Sequence, residues 1–292
     1  MNLNSRKTSI LLAAGLAFTG ALKAQTTTNL VFPSPSPTCT LKQRIGLTDI
    51  EVVYSRPSMK DRAIFGGLVP YGTVWRTGAN ASTKVTFSTA VKLGGSDVPA
   101  GTYAFYTIPG ESEWTVILSK DTGPSGIFGY DAKEDLLRFK VEPKNIGEHV
   151  ETFTMNFNDI RDDSATLYLA WDQAYVPIKL EVDVLGKVLP QIEATMASPG
   201  KKQAGMYYRA ATFYFNNGQD LKKALGWLDA GLADKPGIAF ELLNLKAQIL
   251  AKQGDKEGAI AAAKQSSELA AKAGDQNGGL IKMNEELISK LQ

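Results

Sequence analysis

The chain carries one cysteine and one histidine in 292 residues. A lone Cys39 cannot close an internal disulfide, so stability has to come from a packed core in which a small thiol is best buried. A lone His149 excludes any site built on several histidines, and neither the HExxH pattern nor a cysteine-rich zinc spacing occurs. Charge of one sign is also scarce: 32 Lys and Arg stand against 30 Asp and Glu, which removes the electrostatic case for nucleic acid. Gly67 to Gly72 has the spacing of a phosphate loop, but Thr73 stands where that loop needs lysine. The G-x-S-x-G elbow and the G-x-G-x-x-G dinucleotide loop are missing. We expect no cofactor and no metal.

What is present begins with a leader. Arg6 and Lys7 precede a short apolar run, Ile10 to Phe18, and Ala21-Leu22-Lys23-Ala24 ends on a small residue, the signature of a signal peptide cut after Ala24. Gly20 and Lys23 break the run well short of the roughly 20 apolar residues a membrane span needs, and no later stretch reaches that length. Cys39 lies fifteen positions beyond Ala24, too far to serve as a lipidated first residue. Removing Arg6, Lys7 and Lys23 with the leader leaves 29 basic against 30 acidic residues. The expectation is a soluble, exported protein, periplasmic or extracellular.

Residues 25–40 are rich in Thr, Ser and Pro, with Pro33, Pro35 and Pro37 in alternation, and read as an extended tether. Over 41–186 the apolar period is two. Ile50, Val52 and Tyr54 show it, as do Trp114, Val116 and Leu118, then Phe153, Met155 and Phe157, and finally Val176, Ile178 and Leu180. One face buried and one wet is the mark of antiparallel sheet. Turn chemistry at Gly94-Gly95, Pro109-Gly110 and Asp162-Asp163 divides the runs, predicting a β-sandwich or jelly roll of eight to ten strands. The fold class is therefore mainly β plus α, because the period turns helical after Val184, with a helical repeat segment over 200–292.

Met206, Ala210, Tyr214 and then Leu221, Leu225, Leu228 each fit one helix face. Asn217-Gly218-Gln219-Asp220 before Ala224 matches Gln253-Gly254-Asp255 before Ala259, a repeat of about 35 residues resembling the tetratricopeptide pattern, with the last helix as a cap over 279–291. Stacked helix pairs of this kind dock proteins through a concave face, so residues 200–292 are expected to hold an envelope protein, through Tyr207, Tyr208 and Trp227 if these are exposed.

Several linked strings carry a family resemblance. They are Gln43-Arg44-Ile45-Gly46, Tyr54 to Lys60, Ile64 to Gly72, Val74-Trp75-Arg76-Thr77-Gly78-Ala79-Asn80, Ala100 to Tyr103, Thr107-Ile108-Pro109 and Trp114 to Ile117. In order and spacing, from about Pro33 to Val184, they resemble the domain-of-unknown-function 2911 family of secreted Bacteroidetes proteins. The chain departs from that pattern between Gly123 and Tyr130, where Gly126-Ile127-Phe128-Gly129 replaces a Trp-Gly pair. The resemblance brings no activity with it.

The densest polar and aromatic cluster runs from Arg56 to Lys84. Arg76 offers a fork of donors, Thr77 a hydroxyl, Asn80 an amide and Trp75 an indole around flexible Gly78, a set suited to a glycan or small anionic ligand. The plainer alternative makes Trp75 core and Arg76 structural. Arg56 and Asp172 complete the candidate site, and Lys60 and Arg62 either extend it or are simply wet. Tyr71, Tyr106, Tyr130 and Tyr168 are candidate sugar-stacking rings if they face outward, and packing residues if not. His149 is assigned to a surface turn, and Asn158 to Asp163 to a solvated hairpin, with Arg161 arguing against calcium. Asp163-Ser164-Ala165 resembles a short O-glycosylation acceptor. The leading expectation is a non-catalytic binding and interaction protein of the cell envelope. Its rival is a secreted hydrolase acting on glycans or peptides, with Asp172, Glu51 or Asp131 in a sandwich cleft.

Overall fold

The computed structural model describes residues 31–123, 126–274 and 279–292. The leader over 1–24 and the first residues of the tether, 25–30, lie outside the described residues. Ten strands follow: β1 Thr38–Ile45, β2 Thr48–Ser55, β3 Thr83–Phe87, β4 Val91–Leu93, β5 Ser96–Val98, β6 Gly101–Ile108, β7 Trp114–Ser119, β8 Asp135–Val141, β9 Lys144–Asn158 and β10 Ser164–Val182. They form two antiparallel sheets, one ordered β1-β2-β3-β6-β7-β8 and the other β5-β4-β10-β9. β1 begins at Thr38, so the last three residues assigned to the tether pair with β2 instead.

The alternation in the sequence becomes the inner faces. Val52, Tyr54, Val116, Leu118, Phe153, Met155, Leu169 and Ile178 meet in one core between the sheets. Each such side chain contributes about 1.5–3 kcal/mol relative to leaving it in water. Gly94 and Gly95, with φ of +57° and +83°, make the two-residue turn between β4 and β5. A Cβ on Gly94 would lie 2.3 Å from the Phe139 ring, so that position admits no side chain unless Phe139 moves.

Among the described residues six helices follow the strands: α1 Leu185–Ala197, α2 Ala204–Asn216, α3 Leu221–Leu232, α4 Ala239–Gln253, α5 Lys256–Ala273 and α6 Gly279–Leu291. The first lies between the sandwich, expected to end at 186, and the helical segment expected from 200. Asp183 accepts the backbone N–H of Gly186 at 2.7 Å where β10 gives way to α1. Leu189 and Ile192 of α1 pack on the core formed by Ala211, Tyr214, Leu228 and Leu245. The corresponding caps Asp220 and Asp255 stand 35 positions apart and open α3 and α5. Among the described residues no helix is long and apolar enough to cross a membrane.

A buried polar chain fixes the register of α4, α5 and α6. Asn284 accepts from Asn244 at 2.7 Å and donates to Ser266 at 2.9 Å, while Ser266 donates to the Phe240 carbonyl at 2.7 Å. Asn284 and Ser266 are fully buried, so each lost partner exposes an uncompensated polar group in an apolar place. Asn284→Ala is expected to destabilise the helical segment by about 1–3 kcal/mol. A lower urea midpoint by circular dichroism at constant slope checks it; an unchanged midpoint contradicts it.

Candidate functional site

Between β2 and β3 the chain runs without regular structure from Arg56 to Ser82, and its apolar members Ile64, Val69 and Trp75 are buried against the end of the sandwich. Trp75 exchanges backbone hydrogen bonds with Thr107 of β6 at 2.7 and 3.0 Å. Its indole stacks on Trp171 at 5.8 Å and 17°, and meets Phe153, Phe65 and Trp114 edge to face at 5.1, 6.1 and 6.4 Å. Only 8% of Trp75 is exposed, and its Nε1 donates to the Gly78 carbonyl at 3.0 Å. At 8% exposure and packed among four aromatic rings, Trp75 is core and offers no plate to a sugar.

The next residues form a tightly built loop. Thr77, Gly78 and Asn80 have φ of +52°, +149° and +60°. A β-branched residue in the left-handed region costs on the order of 1–3 kcal/mol. Hydrogen bonds offset it: the Thr77 hydroxyl lies 3.1 Å from that of Thr107, and Thr83 donates to the Thr77 carbonyl at 2.6 Å. Asn80 donates to the Ser36 carbonyl at 3.2 Å and to Ser55 at 3.3 Å, pinning the N-terminal segment across the loop. Thr77 is buried and Asn80 exposed, and neither is among the residues that line the cleft beside the loop.

Beside this loop lies a cleft of about 470 Å³ lined by Arg62, Val69, Pro70, Trp75, Arg76 and Trp171, among others. Its walls come chiefly from two strings that carry the family resemblance, 64–72 and 74–80, with Pro57 from a third and Arg62 from between them. Arg62 donates to the carbonyls of Met59 and Ser58 at 2.8 and 2.6 Å, and Arg76 to that of Asn80 at 3.0 Å. A guanidinium has five N–H groups, so each keeps donors beyond those contacts. The chemistry is an apolar trough with two fixed cations on its rim.

The remaining sequence candidates disperse. Arg56 turns the other way, donating to the Phe153 carbonyl at 3.1 Å and to Thr154 at 2.8 Å, and so staples the sheets together. Asp172 lines a separate cavity of about 290 Å³. Glu51 pairs with Lys42 across β1 and β2 at 2.8 Å, and Asp131 caps the short turn Ala132–Glu134. Of the three carboxylates considered for hydrolysis, only Asp172 faces a cavity among those described. Ser164 is half-buried at the start of β10 and donates to Asp163 at 3.0 Å. Cys39 is half-buried on the edge strand β1. Tyr71 is exposed, but Tyr106 is buried, because the chain at 126–130 folds over it and the Gly126 carbonyl accepts its hydroxyl at 3.2 Å. Tyr168 stacks on Tyr175 at 5.0 Å. Tyr208 and Trp227 pack with the helical core, and Tyr207 is half-buried.

One feature was not legible in advance. His149 lies in β9 rather than on a turn, and its Nδ1 is 2.5 Å from Asp172 Oδ1. The partners are 23 positions apart, and the register of β9 on β10 slips on both sides of Asp172, so no local pattern announces the pair.

Two tyrosines have strongly shifted acidities. Burial pushes the Tyr130 phenol up to about 12, helped by the Asp135 carboxylate that accepts its hydrogen bond at 2.9 Å. Burial and Glu193 push Tyr214 up to about 12 as well. The folded state therefore holds these protons where an unfolded chain, with phenol pKa near 10, has released them. Their stabilising contribution is complete below about pH 10 and is lost as pH rises toward 12. Tyrosinate absorbance is expected to include at least two phenols that ionise only with alkaline unfolding; ionisation of all ten tyrosines near pH 10 in a folded protein contradicts this.

Gly78→Ala tests the loop. The new Cβ would meet the Ser55 carbonyl oxygen at 2.9 Å with φ at +149°, so a loss of stability of about 1–3 kcal/mol is expected by chemical denaturation. Wild-type stability would show that the loop relaxes freely.

Comparison with curated proteins and with solved structures returned no match. A family described as Protein of unknown function (DUF2911) matches residues 36–180, from the start of the strap held by Asn80 to the part of β10 that pairs with β4. Over the stretch that builds both sheets and the Arg62–Arg76 cleft, the chain belongs to that family.

Proposed function

We propose that the protein is a non-catalytic binding protein whose sandwich takes a small ligand with an apolar body and an anionic end in the Arg62–Arg76 cleft. The observation that carries this reading is one trough in which two family strings, 64–72 and 74–80, supply apolar walls and Arg76, and Arg62 adds a second guanidinium. Leu68, 48% exposed, and Ile127 extend the apolar rim, so the ligand buries a hydrocarbon or aryl body while its carboxylate meets Arg62 and Arg76. A glycan is a poorer fit here, because Trp75 is buried at 8% exposure.

In the same proposal the chain is exported and works in the cell envelope, its leader removed near Ala24. The helix pairs α2–α3 and α4–α5 act as tetratricopeptide-like repeats that dock an envelope protein, a reading supported by the equivalent caps Asp220 and Asp255. A calorimetric titration of the mature protein with a medium-chain carboxylate, and with the alcohol of equal length, tests the ligand class. Binding of the acid in preference to the alcohol is expected. Arg62→Ala and Arg76→Ala should each weaken it by about 10- to 100-fold, the worth of one charge-assisted hydrogen bond. Equal affinity for acid and alcohol, or indifference to both substitutions, overturns the reading.

A further inference from the structure

The second cavity lies where Glu111, from the turn between β6 and β7, meets Asp172 and Gln173 of the β10 bulge and Lys144 at the start of β9. We propose that it binds a single neutral sugar ring, at a site separate from the Arg62–Arg76 cleft.

The bulge is the first argument. Pairing with β9 slips on either side of Asp172, whose φ is +52°, a conformation that Asp adopts more readily than most residues. Such bulges re-aim side chains, and here the residue after buried Trp171 becomes part of a cavity wall. His149 then holds Asp172 Oδ1 at 2.5 Å, which fixes the carboxylate and leaves Oδ2 for a ligand. The remaining wall supplies the other parts of a hydroxyl-binding set. Glu111 and Lys144 take part in none of the salt bridges among the described residues, so both keep their hydrogen-bonding capacity. Exposed Tyr71 and half-buried Phe65 contribute aromatic surface to the same wall. Carboxylates, an amide and an ammonium can each serve vicinal hydroxyls, while ring surface takes the C–H face of a sugar. Charges of both signs disfavour a simple anion or cation. A volume of about 290 Å³ is at the small end of ligand sites, which suits one ring and not a chain.

The single histidine gives a clean reporter, since its imidazole signals in a nitrogen-resolved NMR spectrum need no assignment. Glucose, galactose, mannose and N-acetylglucosamine are titrated into the full mature chain, with tetramethylammonium and acetate as controls. At least one sugar is expected to shift the His149 signals saturably while the controls do not. Glu111→Gln and Asp172→Asn should raise the dissociation constant about tenfold or more, and Arg62→Ala should leave it unchanged. Glu111 sits on an exposed turn, so its variant keeps the test meaningful even if Asp172→Asn disturbs the bulge. No saturable shift from any sugar, a saturable shift from a control ion instead, or sugar binding that survives Glu111→Gln unchanged overturns the proposal.

Discussion

The contact on which the rest depends is the aromatic cluster of Phe65, Trp75, Trp114, Phe153 and Trp171. Its members come from the long loop, from β7 in one sheet and from β9 and β10 in the other, with centroids 4.8 to 6.4 Å apart. Edge-to-face and stacked pairs each add about 0.5–1.5 kcal/mol beyond the area they bury. The cluster locks the two sheets at one end and gives 27 residues of irregular chain, 56 to 82, a surface to fold against.

Both cavities inherit their floors from this cluster. Trp75 and Trp171 line the cleft with the two arginines, whereas Phe65 and Trp114 line the cavity with Asp172 and Glu111. Because the rings are buried and mutually packed, the floors are rigid, and ligand chemistry is decided by the polar groups at each rim. Strain sits at the same end: Thr77, Asn80 and Asp172 all hold positive φ and are kept there by hydrogen bonds or by the bulge. Such positions mark sites shaped for a purpose more often than accidents of packing.

The sandwich was legible in the sequence because a period of two leaves little choice of face. Val52, Val116, Met155 and Ile178 point inward as their alternation requires. The helix pairs were legible for a similar reason, through period and the caps Asp220 and Asp255. α1 fell between the two expected segments, because Gly186 and Pro190 weaken its helical signal and Val182 and Val184 continue the strand rhythm. The candidate site was legible as a region but not as a set of roles. Trp75 and Arg76 line one cleft, but Arg56 and Asp172 point elsewhere, and the His149–Asp172 pair depends on two register slips that only the paired strands reveal. Gly147-Glu148-His149-Val150 reads as a surface turn, whereas Gly147 sits within β9 at φ +74°.

The central claim is that the trough over Trp75 and Trp171 takes an apolar acid. The most direct measurement is quenching of tryptophan fluorescence by a bromine-bearing carboxylate, compared with the brominated alcohol, in a Trp227→Phe background that removes the tryptophan of the helical core. The account predicts saturable quenching by the acid at concentrations where the alcohol has little effect. Equal, non-saturating quenching by both would contradict it.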